Sequence, residues 1–221
     1  MKAIASRFLF LASAFVMTGC HFIDIGPQIQ GSRTAKKESR TVSNFSSIEF
    51  HGTGKLMLKQ SGNESCNVEM DDNFLEHFET IVTDGTLHIG LKNGNFKVVT
   101  PIIVTVEAKS VTKLQISGAT AVEATDLKSD SLTVNISGAS RMTLKGSIKK
   151  QDINLSGASH FTADEVDCES AEVDCSGASH ASVNAKSSLS VNASGASHVE
   201  YGGSAEVTKN TSGASSVRKR K

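Results

Sequence analysis

Apolar residues occupy every second position through most of the second half of the chain, as in Val134-x-Ile136 and, after a short polar break, Met142-x-Leu144. A period of two puts one set of side chains on one face of a strand, whereas an amphipathic helix needs spacings of three and four. The breaks recur as well. Ser-Gly-Ala followed by Ser or Thr begins at Ser117, Ser137, Ser156, Ser176, Ser194 and Ser212, in steps of 20, 19, 20, 18 and 18 residues. Aligned on that serine, Ile116, Ile136, Leu155, Cys175 and Ala193 share an inward column, and Leu114, Val134, Ile153, Val173 and Val191 share another. Between them an outward column carries Gln115, Asn135, Asn154, Asp174, Asn192 and Asn210. The glycine supplies a tight bend between strands, where a Cβ is costly. A period near 19 is the length of one coil of a β-solenoid. The pattern therefore predicts an all-β fold with coils of about 18–20 residues, whose equivalent side chains stack into ladders ~4.8 Å apart.

Residues 41–110 are strand-like but less regular. Phe45–Phe50, Lys55–Leu58, Thr86–Ile89 and Ile102–Val106 read as strands, and Asp71–Phe78 as one or two helical turns with an acidic start. This block is expected to form irregular first coils that cover the N-terminal end of the core, followed by the Ser-Gly-Ala repeats over 111–217. A basic tail over 218–221 would discourage edge-to-edge pairing at the far end.

The first residues read as a bacterial secretion signal. Lys2 and Arg7 supply a positive start, and Phe8 to Met17 an apolar run too short to span a bilayer as a helix, which needs ~20 residues. The run meets Met17-Thr18-Gly19-Cys20, which resembles a lipobox. Residues 1–19 are then a lipoprotein signal peptide, and Cys20 is lipidated (palmitate-bearing) at the new N-terminus. Residues 20–40, polar and basic, are expected to be a flexible tether. His21 after Cys20 points toward an outer-membrane lipoprotein, with the periplasmic and surface-facing leaflets both open.

Charge adds little. Lys plus Arg and Asp plus Glu are 23 each, and the aromatic share is 5% with no Trp, so nothing favours a nucleic-acid partner. No cofactor is expected.

The residues also carry a resemblance. Phe45-x-x-Ile48 leading to Gly52-Thr53-Gly54, Asp72-Asn73-x-Leu75, Leu87-His88-Ile89, Val111-x-Lys113-Leu114-x-Ile116-Ser117-Gly118-Ala119, and Val207-Thr208-Lys209 to Ser212-Gly213-Ala214-Ser215 together resemble the bacterial family described as putative auto-transporter adhesin, head GIN domain. The match covers about residues 42–217. It implies a single-stranded right-handed parallel β-helix on secreted or lipid-anchored envelope proteins, and supplies no catalytic residues.

Three constellations are candidates for chemistry. His160, His180 and His198 each stand four residues after a motif serine and are expected to form an outward ladder. Three imidazoles in a row without a carboxylate make a poor tetrahedral metal site, yet their mutual repulsion should suppress protonation. Cys66, Cys168 and Cys175 remain after lipidation, and Cys168–Cys175 is a candidate disulfide set against a role for Cys175 as a small apolar core residue. Asp164, Glu165, Asp167 and Asp174 form the densest acidic group, most simply read as solvent-facing. The expected function is non-catalytic: a lipid-anchored envelope protein acting as a binding, scaffold or adhesin-like module toward a glycan or an envelope or host protein. The alternatives are a carbohydrate-active β-helix enzyme and a periplasmic envelope-stress or assembly factor.

Overall fold

The computed structural model describes residues 27–220; the signal peptide, Cys20 and Lys221 lie outside them. In chain order the strands are β1 (Ile29–Gln30), β2 (Ala35–Arg40), β3 (Ser47–Gln60) and β4 (Ser65–Asp71), then a 3-10 helix over Asp72–His77, β5 (Phe78–Thr83), β6 (Thr86–Leu91), β7 (Phe96–Lys97) and β8 (Ile103–Ala108). The repeat half holds β9 (Lys113–Ile136), β10 (Arg141–Leu155), β11 (His160–Cys175), β12 (His180–Ala185), β13 (Ser188–Ala193), β14 (His198–Gly203), β15 (Glu206–Thr211) and β16 (Ser216–Lys219). The all-β expectation holds, and the helical turn falls where the acidic start placed it.

From β9 onward all pairing is parallel, and each strand lies on its own equivalent one repeat earlier. Arg141 sits beside Ala121 and His160, His180 beside His160 and His198, and Ser216 beside His198. The motif glycine makes this stacking feasible. Gly157 has φ +75°, and a Cβ there would lie 2.6 Å from the carbonyl oxygen of Gly138 one repeat below. A side chain is excluded by backbone conformation and by the approach of the next layer together. The fourth motif residue completes the turn. Ser140, Ser159 and Ser197 are buried, and each donates its hydroxyl to the carbonyl of the motif serine three residues earlier, at 3.2, 3.0 and 2.7 Å. Inside, the alternating columns fill one continuous core, each well-buried aliphatic contributing roughly 1.5–3 kcal/mol.

The first half departs from expectation. β3 pairs with β9 in register, Phe50 beside Ile116, His51 beside Ser117 and Gly52 beside Gly118. His51-Gly52-Thr53-Gly54 is thus one more copy of the motif, separated from the rest by an insertion. On its other side β3 pairs in parallel with β6 and β8, so the chain winds β3 first, then the layer outside it, then returns to β9. β4 runs antiparallel to β8, β2 to β4 and β5 to β6. The sheet is therefore mixed, and a purely parallel, single-stranded winding is not what these residues form.

The tether expectation also needs correction, because β1 pairs with β7 and β2 with β4. β2 is an edge strand of Lys, Glu, Ser and Arg, whose polarity hides it from an alternation rule but suits an edge. Arg40 Nη2 donates to the Leu75 carbonyl at 2.7 Å. The buried Asp71 carboxylate accepts from Thr100 Oγ1 at 2.6 Å and its backbone amide at 3.2 Å, which ties the insertion down.

At the far end, Lys209 replaces valine beside Val191 and Thr211 stands beside Ala193, so the last layer is blunted by polar residues in core columns. Arg218 and Lys219 of the basic tail lie in β16, and Arg220 folds back onto the outer face.

Candidate functional site

The motif glycines form a ridge, and an outward face lies on each side of it. On one side a groove of about 540 Å³ crosses the strands, from Glu49 and Gln115 to Asn210 and Ser212. One wall is the amide column of Asn135, Asn154 and Asn192 with Asp174; the other is the motif serines from Ser117 to Ser212. Ile116, Ile136 and Leu155 also line it, and because their side chains are buried the floor is their backbone. Part of this polar lining is already engaged. Asn192 Nδ2 donates to Asp174 Oδ1 at 2.7 Å, Asn154 Nδ2 to Asp152 Oδ1 at 3.0 Å, and Ser176 Oγ to the Leu155 carbonyl at 3.3 Å. Glu49 pairs with His88 at 3.0 Å. Among the described residues no side-chain hydrogen bond holds Gln115, Asn135 or Asn210, which leaves their amides with both donor and acceptor free.

The other face carries the imidazoles. The His160 and His180 ring centroids are 5.6 Å apart, and His180 and His198 are stacked at 5.2 Å with planes 21° apart. The structure thus brings all three predicted residues into one ladder. Partial burial holds the His180 pKa below its usual value of 6.5, helped by the charges that His198 and His160 acquire on protonation. His198 bonds Ser216 through Nδ1 and has two partners at Nε2, Arg218 Nη2 at 3.1 Å and Glu200 Oε1 at 3.3 Å. A bare Nε2 accepts from the arginine, and an Nε2–H donates to the glutamate. Among the described residues, no group of three or more His, Cys, Asp or Glu is placed to share a metal ion.

The remaining candidates separate. Cys168 and Cys175 are free thiols in one strand, Cys168 beside Ile148 and Cys175 beside Leu155, so each fills its own core column and the candidate disulfide is not formed. Burial pushes Cys175 up to about 11 and Cys66 to about 12, which leaves both as inert thiols at neutral pH. The acidic group disperses into different pairs: Glu165 with Lys145 at 2.7 Å, Asp167 with Lys186, and Asp164 with Arg220. Arg220 also donates to Ser182 Oγ at 2.8 Å, clamping the C-terminus across neighbouring strands.

The groove was half legible in advance. The amide column was visible, but its pairing with the serine column was not, because a turn serine is ordinarily read as turn chemistry alone. Aligning Ile48-x-Phe50 with Leu114-x-Ile116 would have found the extra motif copy.

The family model described as "Putative auto-transporter adhesin, head GIN domain" matches residues 44–205. The chain belongs to this family. Solved structures share the fold of this head GIN domain at low identity. A putative adhesin from Bacteroides fragilis NCTC 9343 is 19% identical, with TM-score 0.70 over 87% of this chain and 100% of that one. A putative lipid binding protein from Parabacteroides distasonis ATCC 8503 is 19% identical, with TM-score 0.58 over 88% and 100%. A putative adhesin from Parabacteroides merdae ATCC 43184 is 17% identical, with TM-score 0.58 over 89% and 100%. No curated protein matches the sequence.

Proposed function

We propose that this head GIN domain is a lipid-anchored cell-envelope module that binds other molecules without transforming them. Cys20 carries the lipid, residues 1–19 are its signal peptide, and the protein sits in the outer membrane. The parallel ladders from β9 onward are coils of a right-handed β-solenoid, a rigid support for a long ligand. The observation that carries this reading is the groove, where an amide or, at Asp174, a carboxylate faces a motif serine layer after layer. Family membership and adhesin-like neighbours favour binding over catalysis. The dispersal of the acidic group into separate ion pairs weighs against a glycoside-cleaving carboxylate pair, which needs two such groups facing one bond. The lipid-binding description of one neighbour draws less support from a groove walled by amides and hydroxyls.

Protease shaving of intact cells, with a tag at the C-terminus and a periplasmic control, tests the address. Loss of the domain while the control survives is expected of an outward-facing adhesin. Protection until the outer membrane is opened would turn the reading toward a periplasmic assembly or stress role, provided the folded protein is cleavable once accessible.

A further inference from the structure

The groove specifies its ligand more narrowly than a generic binding surface would. Its polar groups recur once per layer, at the spacing of hydrogen-bonded strands, ~4.8 Å. A ligand that engages every layer must repeat at about that distance along the direction across the strands. An extended peptide advances ~3.3 Å per residue, so it sets about three residues against two layers and cannot offer an equivalent group to each. A sugar ring in an extended glycan is close to one layer in length.

The chemistry agrees. Sugar hydroxyls donate and accept at once, and so do the free amides of Gln115, Asn135 and Asn210 and the hydroxyls of the opposite wall other than Ser176 and Ser194, which donate to backbone carbonyls and can only accept. Charge narrows the class further. None of the lining residues is Lys or Arg, and both lining carboxylates are already engaged, Glu49 with His88 and Asp174 with Asn192. An acidic polymer would find no cation in the groove. The lining also contains no aromatic ring on which a sugar could stack, so affinity must come from modest hydrogen bonds summed over length.

We infer that the groove holds an extended, neutral glycan chain lying across the strands, one sugar to each repeat; this rests on the binding-module reading above. Six layers, from Gln115 to Asn210, present an amide or carboxylate side chain to it in the repeat half.

Purified protein titrated by calorimetry with neutral β-linked gluco-oligosaccharides, from two to about eight sugars, tests this. Affinity should tighten about threefold per added sugar, as one weak hydrogen-bonding subsite per layer implies, and level off near six. The Asn135→Leu/Asn154→Leu pair should weaken the longest ligand at least about tenfold, since it removes two central subsites. Gln115→Leu, at one end, should shorten the plateau by one sugar, and serves if the pair disturbs folding. His160→Ala on the other face should change nothing. An affinity independent of length, no binding at any length, or groove variants that bind like the parent protein would overturn the inference. Binding of oligogalacturonate instead, abolished by the same pair, would overturn the neutral class while leaving the binding module standing. Groove variants that leave whole-cell attachment unchanged would remove the module reading itself.

Discussion

The two faces beside the glycine ridge are built by the same repeat, yet they differ in how strictly they obey it. On the groove side the amide column stays short and polar through Gln115, Asn135, Asn154, Asp174, Asn192 and Asn210, opposite an unbroken run of motif serines. On the imidazole side one column runs Ala121, Arg141, His160, His180, His198 and Ser216. Core columns, ridge glycines and buried motif hydroxyls are common to both, so the backbone alone does not account for the contrast. A face whose chemistry repeats presents a periodic ligand with a polar subsite in each layer. A face whose chemistry drifts presents a local cluster that responds to protons. The first suits a long polymer, and the second suits a pH-sensitive patch.

Breaking what the faces share should have the largest effects. Ile136→Asp places a charge in a core column where the side chain is 2% exposed, and should destabilise the domain by more than ~4 kcal/mol. Ser137→Asp, one residue on and outward, should cost less than ~1 kcal/mol. Equal shifts in denaturant midpoint for the two would refute the inward and outward assignment. Gly157→Val should follow at about 3 kcal/mol, because its φ is positive and the Gly138 carbonyl occupies the space of a Cβ.

The pH response separates the faces. In the folded protein His180 binds a proton less readily than its usual value of 6.5 implies, so the unfolded chain takes up the proton first as pH falls. This contribution to stability is fully present above pH 6.5 and is lost as pH drops from there toward the lowered folded value. Melting temperature should therefore fall as pH drops below about 6.5, and His180→Ala should flatten that part of the curve. An unchanged slope in the variant would mean that other groups carry it.

A smaller effect of opposite sign is expected inside. Gln151 is fully buried between the Leu132 and Ala171 positions, and among the described residues neither its Nε2 nor its Oε1 has a hydrogen-bond partner. Gln151→Leu should raise stability by about 1 kcal/mol in chemical denaturation. Smallest of all, Arg220→Ala should lower it by less than ~1 kcal/mol, since the ion pair with Asp164 is partly solvated.

How far each part was legible follows from what it is made of. Period-two apolar columns and a glycine recurring every 18–20 residues give the ladders of β9 to β16 directly, because stacking forces like residues onto like positions. The imidazole ladder followed from the same arithmetic. The winding of β3 did not: its motif reads His51-Gly52-Thr53-Gly54, and 66 residues separate His51 from its partner Ser117. No local rule reveals that a strand will be sandwiched between two later ones. β2 reads as tether because Lys36, Lys37, Glu38 and Arg40 carry no apolar alternation, although an edge strand requires none. The Cys168–Cys175 pairing failed for a related reason, since closeness in sequence along one extended strand does not bring two core columns together.

As proposed above, the repeated groove, and not the imidazole face, meets the ligand. The most direct measurement is attachment of whole cells to immobilised neutral glycan, comparing the parent protein with two variants. Asn135→Leu/Asn154→Leu alters the groove, and His160→Ala/His180→Ala/His198→Ala removes the ladder. The account predicts that the groove variant loses attachment and the ladder variant keeps it at neutral pH. Attachment that survives the groove change and disappears with the histidines would contradict it.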